Sequence, residues 1–376
     1  MTVVRKIFIG LGLIVFIGLI ILISKEYFIK KPEETIFLEE PESIIKKEEF
    51  IEESQKLPSV TSSLEEIIPT TSLPETTKKP ILLFDFPLLF PSINYPEVYA
   101  YDPISKTIRI YNIEDKTYKE LYKDENITYV LFPTNNSEKF FIKSKNIFYL
   151  IDTLKDKKYS LNYLTQKVFF YQNIPYLFIS GLSSNGYLAK FQDNETRIIN
   201  IFILNPDIDF LTNGFLIAEN LKYSPSSPLY LKKLSKNIDL ILPPKKYLSF
   251  ITNKNDLIFV SFIENSWKSL LIEEKNNIIN KEFNFGTLKE KCTFEELLIC
   301  GVPKDQDFNK VENWYYLKSS FNDDLIIYDP DRDYFQVVKI DGNFDIIQPK
   351  FTPIGIIFYN RNDSKLYFIN KDNLSL

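Results

Sequence analysis

The feature that most narrows the folds open to this chain is a short hairpin that keeps returning. An apolar strand closes on a phenylalanine, a polar turn follows, and a second apolar strand begins; the phenylalanines are Phe132, Phe170, Phe210, Phe250, Phe294 and Phe351. Phe132 leads through PTNNSEK into FFI, Phe210 through LTNG into FLIA, and Phe250 through ITNKND into LIFV. The intervals between them are 38, 40, 40, 44 and 57 residues. A hairpin repeating at roughly 40 residues has the period of a β-propeller blade. Within the repeats a third strand is expected at Ile147–Ile151, Gly186–Phe191, Leu229–Leu234, Lys268–Ile272, Asp324–Tyr328 and Lys365–Ile369. A weaker fourth follows, as at Lys158–Leu161 or Gln336–Ile340.

Upstream, Val98–Tyr101, Thr107–Ile113 and Tyr118–Tyr122 read as three more strands separated by turn residues. Residues 81–376 number 296, so about 42 per repeat predicts an all-β propeller of about seven four-stranded blades. The chain stops soon after the third strand of its last repeat. Ile81–Phe84 is therefore expected to supply the missing edge and close the ring, leaving no open strand to aggregate. A pair of β-sandwiches competes with this reading, but would give no reason for a regular period.

Composition agrees and removes several chemistries. Phe 32 and Tyr 23 supply most of the 15% aromatic content, which favours strands over helices. The net charge is −5 with no basic stripe, so nucleic acid is not expected as a partner. The absence of histidine takes away the usual general base and the commonest metal ligand. No glycine-rich phosphate loop is present, and neither cofactor nor metal is expected. A carboxylate pair of the glycosidase kind stays open.

Residues 1–31 are expected to form an N-terminal transmembrane signal anchor. Ile7 to Ile23 carries no charge, and as a helix it measures roughly 26 Å against a hydrocarbon core of about 30 Å. A cleaved signal peptide is disfavoured because SKEYFIKK, which follows Ile23, lacks a small-residue cleavage site. Arg5 and Lys6 favour a cytoplasmic N-terminus and a propeller outside the cell membrane, although Lys25, Lys30 and Lys31 weigh the other way. Residues 32–80, rich in Glu, Pro, Ser and Thr, are expected to be a disordered linker, with residues 81–376 as the folded domain.

The last repeat, PKFTPIGIIFYNRNDSKLYFINKDN, resembles the TolB-like and WD-repeat-like propeller module. The usual Ser-Pro-Asp-Gly turn of that module is here Thr352-Pro353-Ile354-Gly355. TLKEKCTFEELLICGVPK followed by NWYYLKSSFNDDLIIYD is similar to membrane-anchored propeller proteins of bacteria with small genomes. The resemblance implies a fold and a location, not a reaction, and no partner-binding residues of TolB have a matching motif here.

Three features are candidates for a role. A tight turn at Glu295–Leu297 would place Cys292 opposite Cys300 on neighbouring strands, close enough for a disulfide or for two buried thiols. Asp329, Asp331 and Asp333 imitate the start of a calcium loop, but Tyr334 and Ile340 stand where Gly and Glu are needed, so a polar turn is expected. The longest interval carries its surplus between a second and a third strand, in PKDQDFNKVENWYYLKSSFND. Its Trp314, Tyr315 and Tyr316 are aromatic anchors of the kind found at interfaces, or else rings that fold back onto a blade. The function expected is that of a non-enzymatic platform binding a protein or cell-envelope partner. The alternative is a carbohydrate-active or lyase-like enzyme using channel carboxylates and tyrosines.

Overall fold

The computed structural model describes residues 77–133, 138–181, 186–192, 194–203, 205–219, 226–233, 238–275 and 277–374. The expected anchor and all but the last four residues of the expected linker lie outside them. No helix among the described residues is long and apolar enough to cross a membrane.

The described chain is nearly all β, in six antiparallel sheets. After β1 (Ile81–Leu82) come β2 (Leu89–Asn94), β3 (Glu97–Asp102), β4 (Thr107–Asn112) and β5 (Tyr118–Lys123), and β2 to β5 form one sheet in sequence order. The plan repeats in β6 (Ile127–Leu131), β7 (Lys139–Ser144), β8 (Ile147–Asp152) and β9 (Lys157–Ser160). It repeats again in β10 (Thr165–Tyr171), β11 (Ile174–Ser180), β12 (Gly186–Gln192) and β13 (Asn194–Ile201).

The next sheet is larger and holds seven strands. They are β14 (Pro206–Leu211), β15 (Gly214–Glu219), β16 (Ser226–Lys233), β17 (Ile238–Thr252), β18 (Leu257–Ile263), β19 (Trp267–Glu273) and β20 (Ile278–Phe283). β17 is 15 residues long; Leu240 and Leu242 pair with β16, whereas Ser249 to Thr252 pair with β18. The handover falls at Lys246, which faces Ser226 of β16 on one side and Ile263 of β18 on the other, while Pro243 and Pro244, with no N–H to give, fall at a register shift in the β16 pairing. Two more sheets follow: β21 (Cys292–Phe294), β22 (Leu298–Pro303), β23 (Asp323–Asp329) and β24 (Tyr334–Val338), then β25 (Ile346–Thr352), β26 (Gly355–Asn360) and β27 (Lys365–Asn370).

The last sheet is completed from the other end of the domain, in the order β1-β27-β26-β25. Ile81 lies opposite Phe368 and Leu82 opposite Tyr367, and Leu83 N donates to Leu366 O at 2.9 Å. The expected closing strand is thus present, limited to two residues. Just before it, Lys78 makes an isolated bridge to Ile340, with Lys78 N donating to Lys339 O at 2.8 Å.

Middle strands are the most apolar because a sheet covers each of their faces; every residue of β22 and β26 is buried. Outer strands such as β5 (YKELYK) and β9 (KKYS) are mostly exposed and lysine-rich, as unpaired edges require. The core is a series of layers between consecutive sheets. Tyr99 and Ile108 pack with Phe140 and Ile142, Phe141 with Leu177, Phe178 with Phe215, and Ile299 with Phe358. The circuit closes where Val98 and Ala100 meet Ile357 and Leu366. A closed circuit of small antiparallel sheets fits a β-propeller. The turn at Thr352-Pro353-Ile354-Gly355 needs its glycine: φ is +137°, and a Cβ there would lie 2.0 Å from Ile369 O.

Candidate functional site

The surplus between β22 and β23 is not an open loop. It contains one short helix, α1 (Lys310–Tyr315). Six residues are too few to hold a helix by propensity, so packing must do so. Val311 and Trp314 are buried with Tyr247, Trp267, Leu288 and Phe321. Trp314 is 4% exposed, its Nε1 donates to Asp345 Oδ2 at 2.8 Å, and the Arg361 guanidinium lies 4.0 Å from the ring centre. Tyr315 is half-buried and donates its hydroxyl to Glu290 Oε2 at 3.1 Å, while Tyr247 donates to Glu312 Oε1 at 3.1 Å. Tyr316 differs from both: it is 53% exposed, beside a Leu317 that is 79% exposed. The three consecutive aromatics therefore divide, with Trp314 facing inward, Tyr315 half in, and Tyr316 outward.

Under α1 lies a fully buried charge cluster that the sequence reading missed. Lys291 Nζ is 2.5 Å from Asp323 Oδ2 and 2.5 Å from Asp345 Oδ1, and all three side chains are 0% exposed. Asp323 Oδ2 also accepts from Ile346 N at 2.7 Å, and Asp345 N donates to Asn360 Oδ1 at 3.0 Å. Burial, with Asp345 nearby and Lys291 opposing, pushes the Asp323 carboxyl up to about 6. Nothing local distinguishes these aspartates from the many turn aspartates of the chain. The only signal was a lysine directly before an apolar strand.

A second polar group forms at the first strands of the sheets. Asp207 Oδ1, on β14, is 2.9 Å from both Lys167 Nζ of β10 and Lys289 Nζ, just before β21. Asp209 accepts from Phe210 N at 2.9 Å and from Thr252 N at 2.8 Å. Burial raises the carboxyls of Asp209 and Glu290, and neither the backbone donors of Asp209 nor the Lys289 charge near Glu290 fully reverses it. Burial works against the Lys289 ammonium, but Asp207 and Glu290 outweigh it and hold its pKa above the ordinary value.

Next to this group is a cavity of about 340 Å³ where the first strands of five four-strand runs meet. Phe90 comes from β2, Tyr129 from β6, Ile251 from β17, Thr293 from β21 and Lys350 from β25. Tyr129 joins the two features: it lines the cavity, and burial lifts its hydroxyl to about 12 against the pull of Lys289. Lys350 Nζ pairs with Glu295 Oε1 at 2.9 Å on the same wall. Phe90 and Gln348, also in the lining, have φ of +54° and +48° at register shifts in β2 and β25.

Cys292 and Cys300 are register partners on β21 and β22 and are joined in a disulfide. Asp329, Asp331 and Asp333 sit at the β23–β24 turn. Asp329 Oδ1 accepts from Asp331 N at 3.0 Å and Arg332 N at 3.2 Å, and Asp333 Oδ1 pairs with Lys281 Nζ at 2.5 Å. Among the described residues no group of three or more acidic or sulfur ligands is placed to hold a metal ion.

No protein-family model matches the chain, and no curated protein matches it. Several propeller-like solved structures are similar in shape. Kluyveromyces lactis Hsv2 is 12% identical with a TM-score of 0.46, covering 76% of this chain and 98% of its own. The uncharacterized protein lmo1340 from Listeria monocytogenes EGD-e is 12% identical with a TM-score of 0.49, covering 80% and 98%. A streptogramin B lyase is 10% identical with a TM-score of 0.49, covering 77% and 95%. At such values no activity carries across, and the functional argument rests on this chain's own geometry.

Proposed function

We propose that this chain is a membrane-tethered β-propeller of seven four-stranded blades, displayed outside the cytoplasm as a non-enzymatic platform for a protein or cell-envelope partner. The blade count follows from dividing the seven-stranded sheet at β17, which belongs to one four-strand run through its first half and to another through its second. The tether rests on the apolar stretch Ile7 to Ile23 and the polar segment after it.

The observation that carries the platform reading is Leu317. It follows the last turn of α1 with φ +60°, while its N–H donates to Trp314 O at 3.0 Å and Lys318 N donates to Asn313 O at 2.8 Å. Glycine or asparagine is the usual residue at such a helix end, and a left-handed leucine costs about 1–2 kcal/mol. Being 79% exposed, it recovers nothing by packing in the free protein. Strain without a folding benefit points to a binding role, and Tyr316 beside it adds an interface-type aromatic. Trp314 and Tyr315 then serve as the mount that keeps the pair in place. Cross-linking in intact cells tests this: Tyr316→Ala with Leu317→Asn should lose the captured partner while melting no lower than the wild type. Undiminished capture by the double variant would reject the assignment.

A carbohydrate-active or lyase-like enzyme is the second reading, favoured by the raised pKa values of Asp209 and Glu290. It ranks behind because Asp209 already accepts two backbone N–H bonds and Glu290 already holds the Tyr315 hydroxyl.

A further inference from the structure

We infer that the cavity between the first strands is a binding site for one neutral pyranose ring, separate from the Tyr316–Leu317 face and not dependent on it. Its size is the first argument. About 340 Å³ falls at the lower end of small-molecule sites, room for a single sugar ring with a few waters.

The second argument is charge. The charged side chains in the lining, Glu295 and Lys350, already pair with each other at 2.9 Å. A charged ligand would compete with that pair for one of its members and gain little, because each charge already has its partner. A neutral polyol can hydrogen-bond to both ends and leave the pair intact, because each hydroxyl donates as well as accepts.

The third argument is the make-up of the wall. Phe90 and Tyr129 meet edge to face, ring centroids 5.7 Å apart and 62° between planes, forming an aromatic corner for the C–H face of a sugar. Among the described residues the Tyr129 hydroxyl has no hydrogen-bond partner, and its neighbours Thr293 and Gln348 bring further groups that both donate and accept. Gln348 is also held at φ +48°, as Phe90 is at +54°.

Titration calorimetry on the full chain tests the site, in a detergent that carries no sugar headgroup. The probes are glucose, N-acetylglucosamine and its β-1,4-linked disaccharide, with free phenylalanine and glucuronate as charged controls. At least one neutral sugar should bind saturably, with a Kd of about 1 mM as expected for a single ring. Tyr129→Phe, which keeps the ring and drops the hydroxyl, should weaken binding several-fold. Gln348→Gly, which suits the backbone conformation, should weaken it about tenfold while melting no lower than the parent. Absence of saturable heat from all three neutral sugars at about 20 mM, far above that Kd, would overturn the inference. So would preferential binding of the charged controls, or wild-type affinity in both variants. Loss of sugar binding with Tyr316→Ala and Leu317→Asn in place would show that the two sites are not separate.

Discussion

Lys291 is the residue that holds the buried charge cluster under α1 together. It is the cation between Asp323 and Asp345, and Asp345 in turn holds the Trp314 indole. Lys291→Met should leave Asp323 without its cation and Asp345 with only Arg361 Nη1 at 3.7 Å, and cost about 3–5 kcal/mol, read as a large drop in the urea midpoint. A Lys291→Met protein as stable as the parent would mean that the carboxylates simply take up protons at neutral pH. The pH dependence is a separate check. The Asp323 carboxyl is raised to about 6 from 3.8, so the folded state holds its proton over a window in which the unfolded chain has lost it. This contribution to stability is full below about pH 4 and disappears as pH rises through about 6. Unfolding midpoints of the parent should therefore fall, relative to Asp323→Asn, between those two values. A parallel pair of pH profiles would contradict the assignment.

Two elements carry predictions of their own. The end of α1 is strained at Leu317, so Leu317→Gly should raise stability by about 1 kcal/mol. The same change should weaken partner capture, the combination expected where strain is kept for binding. Stabilisation without loss of capture would mean that Leu317 has no role at the interface. The β21–β22 hairpin carries the Cys292–Cys300 bond. Alkylation of the unfolded, unreduced protein should leave both cysteines unmodified, and two alkylated thiols would show that the bond does not form in the cell. An extracytoplasmic location would let such a bond persist.

At the scale of the whole molecule, the circuit of sheets is closed by only a few residues. β1 pairs two residues with β27, and Lys78 bridges to Ile340 across the neighbouring sheet. Removing residues 77–86 should lower the stability of the entire domain in one cooperative transition, because the freed edge of β27 also exposes the layer around Ile357 and Leu366. Loss confined to the last sheet would show that the closure is local. The proposed tether predicts a further outcome: protease added to intact cells should release a fragment beginning within residues 32–80. Full protection of the chain would reverse the orientation.

The repeat period, the hairpins, the register of Cys292 opposite Cys300, the closing role of Ile81 and the position of the insertion were all legible in the sequence. Each depends on local information: alternation along one strand, turn chemistry at its end, or a count of residues from one landmark to the next. The helical form of the insertion was not legible, because its six residues are held by Trp314 and Val311 packing rather than by their own propensity. The inward face of Trp314 was one of two readings the sequence left open, and it is decided by Asp345, just before β25, which holds the indole. The meeting of Asp207 with Lys167 and Lys289 joins three sheets, and the cavity takes its walls from five first strands. Such contacts are set by how each sheet is placed against the next. That placement comes from the layers of phenylalanine and isoleucine between the sheets, and a long-range packing of this kind leaves no trace in the spacing of any one segment.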